Sequence, residues 1–155
     1  MTKMTKSDNT GTGFALHKIT TDQFAIIDDK FTEDEGAIVN LRSQFRFGLD
    51  PESKILLIKA LFIYNQKEIP FLIIETGCHF QIRKESWNAY LNKEHHAISF
   101  PKDFITHLAV IAVGTARGVL HAKTENTKFN QFLLPTINVE SMIDGNVNFD
   151  LNYPG

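Results

Sequence analysis

The sequence predicts an α+β fold: a four-stranded antiparallel sheet in meander order, an aromatic crossover, and one long helix in the C-terminal half packed on the sheet. Three observations predict it. From Gly13 to about Arg83, apolar and polar residues alternate with a period of two. Near residue 100 the period changes to that of a helix. Between these regions lies KESWNAYLNKE, polar but for its aromatic rings. The chain has 155 residues, the size of one domain, and its 43% apolar and 22% charged content allows a core to form.

The elements follow in order. Residues 1–12 (MTKMTKSDNTGT) are small and polar and read as a disordered leader. A first strand is expected over Phe14 to Ile27. In the second, Val39, Leu41, Phe45, Phe47 and Leu49 alternate with Asn40, Arg42, Gln44 and Arg46, so one face is apolar and the other polar. Asp50-Pro51-Glu52-Ser53 supplies a turn, and KILLIKALFIY (54–64) is the third strand. Asn65 to Glu68 is the next turn. Ile69 to Arg83 is the fourth strand, with Pro70 at its start and Gly77 expected as a bulge or bend.

Pro101 and Asp103 suit a helix start. Phe104, Leu108, Ile111 and Thr115 then recur at helical spacing, which predicts a helix from Lys102 to Leu120, roughly 28 Å long at 1.5 Å per residue. Its middle, Leu108 to Ala116, carries no charge on any face. Such a helix is expected to be covered on all sides. One sheet covers only one side, so a second subunit is expected on the other, with Leu108, Ala109, Ala112 and Ala116 at the oligomer interface. Gly114 and Gly118 extend the small-residue stripe. Residues 121–132 read as a polar loop, and residues 144–155 as an extended tail beyond a single domain at 13–143.

The composition excludes several functions. Lys and Arg total 16 against 18 Asp and Glu, a net charge of −2, so the charge balance shows no nucleic-acid footprint. One cysteine allows neither an internal disulfide nor a cysteine-based zinc cage. No unbroken 18-residue apolar stretch argues for membrane insertion, and a cytoplasmic location is expected. No phosphate loop, nucleophile elbow or dinucleotide fingerprint occurs. Cys78 and His79 are strand neighbours facing opposite ways, and His95, His96, His107 and His121 lack the companions a metal or catalytic site needs. No catalytic residue, metal ligand or cofactor is therefore expected, and the chain is not read as an enzyme.

The order of features resembles the SecB family. The residues that carry the resemblance are Phe71-Leu72 leading to Gly77 and Phe80-x-Ile82, then Phe100-Pro101, Arg117-Gly118, and Leu133-Leu134-Pro135-Thr136-Ile137-Asn138-Val139. They span roughly 14–143. The resemblance implies an ATP-independent holdase chaperone, assembled as a homotetramer or dimer of dimers, that binds unfolded preproteins for protein transport. Trp87 and Tyr90 are the expected client-binding residues because they lie outside the regular strands on the crossover, where they either line an apolar groove or pin the crossover to the domain; Phe80 and Leu133 are further candidates, each equally explained as core. Three departures stand out: a longer polar segment before Leu134-Pro135, a charge near neutral instead of strongly acidic, and a Gly-, Asn- and Pro-containing end where the family has a second helix and a tail for the motor SecA. SecA docking is therefore not carried over, and an antitoxin-dedicated SecB-like chaperone stays open. The rival reading is a small-molecule domain that binds an anion on the strand face of Arg42, Gln44 and Arg46.

Overall fold

The computed structural model describes residues 13–34 and 36–151, so the expected leader at 1–12 lies outside the described residues. The main sheet contains β1 (Phe14–Ile26), β2 (Val39–Asp50), β3 (Ile55–Gln66) and β4 (Ile69–Ile82). It is antiparallel throughout, in the order β1-β4-β3-β2. β2, β3 and β4 run as a meander, and β1 adds beside β4 at the far edge. A short helix α1 (Lys84–Tyr90) and strands β5 (Leu91–Asn92) and β6 (Ala97–Phe100) form the crossover. The long helix α2 (Lys102–Thr124), a one-turn helix α3 (Val139–Met142) and strand β7 (Val147–Asp150) complete the chain.

Alternation dictates the layers. On β3, Leu56, Ile58, Ala60 and Phe62 are fully buried, and their cross-strand partners Phe80, Cys78, Thr76 and Ile74 on β4 are buried too. This face meets α2 through Ile105, Leu108, Ala109, Ala112, Ala116 and Leu120. The alanines let the helix axis approach the sheet closely, as small residues at a packing seam do. Cys78 therefore faces the core, where burial pushes its thiol pKa up against a hydrogen bond from Thr115. His79 faces the other way and is half-buried.

Two expectations about α2 are corrected. Leu108, Ala109, Ala112 and Ala116, expected at a subunit interface, are wholly inside the chain's own core. Gly114 and Gly118 instead face outward beside Val110, which is 53% exposed. The helix is thus buried on one face, not all round. It also runs one turn past Leu120, so part of the expected 121–132 loop is helical. By length and composition it passes for a membrane-crossing helix, with a mean hydropathy of 1.4 over 18 of its residues; its packing on β3 and β4 accounts for that composition.

The rest of that expected loop is mostly exposed, but it sends two rings into the core. A 3-10 turn at Lys128–Gln131 places Phe129 and Phe132 against Phe31, Phe71 and Tyr64, with ring centroids 4.8–6.5 Å apart. A second cluster at the other end of α2 joins Phe14, Phe80, Phe100, Phe104, Tyr90, Trp87 and Phe149. The phenylalanine surplus of the sequence resides largely in these two clusters.

The expected tail is also structured within the described residues: β7 pairs with β6, and the Asn146 side chain accepts a hydrogen bond from the Lys102 N–H at 3.0 Å, satisfying one open donor at the start of α2. Arg117 donates to the Leu134 and Pro135 carbonyls, both at 2.8 Å, and so ties the segment after α2 back to the helix.

Gly77 is not a bulge. β3 and β4 stay in register past it, and the irregularities fall on β1, after Leu16 and after Thr21, and on β4 beside Pro70. What requires glycine is crowding: a Cβ at 77 would lie 2.6 Å from Thr20 Oγ1 and 3.0 Å from Asp22 Oδ2.

Candidate functional site: the groove along β2

The two edges of the main sheet differ. β1 has two register breaks, at His17 and Asp22, and bulges of this kind blunt an edge against further pairing. β2 pairs with β3 over all its residues from Val39 to Asp50 without a break, and contains no proline. Its outer edge is the regular, unblunted one. A strand of this kind presents a row of backbone N–H and C=O groups able to pair with an extended chain.

A groove of about 400 Å³ runs beside this edge. One wall is Ser43, Gln44, Phe45 and Phe47 of β2; the other is Met142 to Val147, the segment from the end of α3 to the start of β7. Phe45 and Phe47 point to the α2 side of the sheet, opposite the buried Ala60 and Ile58, yet remain half-exposed. Met142, Ile143 and Val147 add apolar surface, Ser43, Gln44 and Asn146 make the rest of the lining polar, and Asp144 is its sole charged side chain. The facing wall is held in place locally: Asn138 caps α3 by accepting from Ser141 N–H at 3.3 Å, and Asn146 is anchored on α2. Apolar side pockets beside an open strand edge are suited to an extended polypeptide, which supplies backbone partners in any sequence.

The residues expected to bind clients do not converge here. Phe80 is fully buried beneath α2, and Trp87 is 5% exposed, packed edge-on against Phe100 with the Lys54 ammonium 6.0 Å from its ring. Both are corrected to core residues; neither ring is open to a client in this conformation. Trp87 and Tyr90, three residues apart, share one side of the helical turn, and that side faces inward. Tyr90 is half-buried against Phe100 and Phe104. Leu133 is 59% exposed and lies outside the residues lining the groove. The groove residues were missed because nothing in a strand pattern shows which strand lies at an edge. The available signal was the unbroken alternation of β2.

The strand face proposed as an anion site is changed by one contact. Arg46 Nη2 lies 2.6 Å from Glu75 Oε2, and Glu75 is only 2% exposed. Arg46 is therefore committed to a carboxylate. Arg42 is exposed, with no ion pair among the described residues. Beside them, Lys59 pairs with Asp22 across Gly77 at 3.6 Å, and Thr20 Oγ1 lies 3.4 Å from His79 Nε2. Burial holds the His79 pKa below its usual range, followed by Lys18, with Asp22 opposing. Among the described residues no group of three His, Cys, Asp or Glu side chains converges to hold a metal.

No family model matches the chain, and no curated protein matches it in sequence.

Proposed function

We propose that this chain is an ATP-independent holdase that binds unfolded polypeptide in extended form along the open edge of β2. The observation that carries the reading is the contrast between the edges: β1 is doubly bulged, while β2 is regular over its length and flanked by a groove that holds Phe45, Phe47, Met142 and Val147 among polar neighbours. Capture of this kind needs backbone partners and tolerant apolar pockets, and no catalytic group. The ordered resemblance to the SecB family points the same way. The exposed Val110, Gly114 and Gly118 face of α2 replaces the buried alanines as the surface through which a second copy would pack. The anion-binding alternative is weakened because Glu75 neutralises Arg46.

The test is suppression of aggregation of a chemically unfolded client without nucleotide, combined with a photo-crosslinking residue at Gln44 on β2 or at Gln23 on β1, both exposed. Capture through Gln44 and not through Gln23 is expected. Equal capture at both positions, or no suppression at all, would overturn the reading.

A further inference from the structure

Alternation puts Arg42, Gln44, Arg46, Gly48 and Asp50 on the outer side of the sheet, opposite to Phe45 and Phe47. Arg42 and Asp50 are both exposed, and neither is in an ion pair among the described residues. They stand toward opposite ends of β2, roughly 26 Å apart at 3.3 Å per residue, so they cannot meet within one chain. Arg46, midway between them, is already held by Glu75 at 2.6 Å.

Antiparallel self-pairing brings the two charges together. When β2 meets β2 of a second copy about a two-fold axis, directly opposite residues share a face of the sheet, so the axis passes through one residue of each strand. Four central residues, Ser43 to Arg46, keep most of each strand paired. About Gln44, Arg42 falls opposite Arg46, which is repulsive. About Ser43 or Phe45, no two charges meet. About Arg46, Arg42 of each copy falls opposite Asp50 of the other, and Phe45 opposite Phe47. Only this last register creates ion pairs, and symmetry makes each contact twice. The two Arg46 side chains that then face each other are each committed to a buried Glu75 of their own chain. Opposite charges and aromatic pairs are both favourable cross-strand neighbours. On the groove side the incoming strand brings Ser43, Phe45, Phe47 and Leu49, all uncharged, so the lone carboxylate Asp144 meets no like charge there.

We infer that the open edge of β2 pairs with the same edge of a second copy, centred on Arg46, and that Arg42 and Asp50 fix the register. A regular edge left bare is a template for any exposed strand, and a self-complementary one satisfies its own backbone groups. The contact is separate from the α2 face and does not depend on the holdase reading. Its consequence for capture does rest on that reading: client and second copy compete for one row of N–H and C=O groups, so the paired form keeps the edge closed until client displaces it.

Sedimentation of the full chain across a concentration series tests this. Wild type should self-associate. Arg42→Glu sets like charges against Asp50, and Asp50→Arg sets like charges against Arg42. Each should weaken association about ten- to thirty-fold, the effect of two cross-strand pairs turned from attraction to repulsion. An equimolar mixture of the two variants should associate as wild type does, because both mixed pairs are then of opposite charge. Asp50 also accepts from the Ser53 N–H at 3.3 Å, so the milder Asp50→Asn, which keeps an acceptor there, should weaken association about two- to five-fold with the turn intact. All these effects should shrink as salt rises. A monomeric wild type, association that none of the variants weakens, or a mixture no better than its components overturns the pairing. Unfolded client should lower the association of wild type. If client is held while association is unchanged, the competition is wrong and the pairing stands. If no client is held, the holdase reading fails, and the charge exchange alone decides the pairing.

Discussion

The Arg46–Glu75 pair offers a quantitative check on how the outer face of the sheet is built. Glu75 sits at the centre of that face with a side chain 2% exposed, whereas Arg46 is 53% exposed. The asymmetry makes the two partners unequal. In Arg46→Met the aliphatic cover is retained, but a buried carboxylate loses the guanidinium that donates to it at 2.6 Å. Removing one partner from a buried charged group costs about 1–3 kcal/mol or more, and the half-exposed arginine places the change toward the middle, about 2 kcal/mol. In Glu75→Gln the arginine is left with an amide oxygen as acceptor and with water on its open side, so the cost should be about 1 kcal/mol or less. A domain of this size shifts its melting temperature by about 2–4 °C per kcal/mol, so Arg46→Met should melt about 4–8 °C below wild type and Glu75→Gln within a few degrees. Thermal and urea unfolding of both single variants and the double variant Arg46→Met with Glu75→Gln measure this. The double variant should lose less than the two singles added together, because no unpaired charge remains in it. If Arg46→Met is as stable as wild type, Glu75 has found water and the outer face is more open than the structure shows.

Other consequences follow from single contacts. His79 has a lowered pKa, so below its usual value near 6.5 the unfolded chain binds more protons than the folded one; stability should fall as pH drops through that region, and His79→Gln should flatten the dependence in denaturation curves taken between pH 5 and 8. The hairpin between β3 and β4 turns on Lys67 and Glu68, with φ of 52° and 64°, a geometry that suits asparagine and glycine. Replacing the pair by Asn-Gly should raise stability by about 1 kcal/mol, and a loss on urea unfolding would refute the turn assignment. The buried Tyr64 hydroxyl has no hydrogen-bond partner among the described residues, and burial pushes its pKa up to about 12 against the pull of Arg117. Tyr64→Phe should therefore be neutral or stabilising by calorimetry, and a drop of several degrees would mean the hydroxyl has a partner. Trp87→Ala should cost about 3–5 kcal/mol and lower the melting temperature sharply, as expected of a ring in the core and not in a client site.

The sequence by itself determined the local structure of this protein. Period-two alternation marked all four long strands to within a residue or two, because a half-buried strand must place apolar side chains on one face only. The change of period at Pro101 located α2 for the same kind of reason. The opposed directions of Cys78 and His79 followed from alternation alone. Only the tertiary structure decided which strand lay at an open edge, because β1 pairs with β4 through contacts made across some sixty residues of chain. That pairing left β2 free and bulged β1, and so produced the candidate site. It also decided that Ala109, Ala112 and Ala116 face the chain's own sheet while Gly114 and Gly118 face outward: small residues fit both a tight seam and an open surface, so composition could not separate the two. Phe129 and Phe132 were hidden in a polar stretch for a related reason. Their apolar partners Phe31 and Phe71 come from distant turns and strands, and a burial made by such partners leaves no periodic trace in the segment that undergoes it.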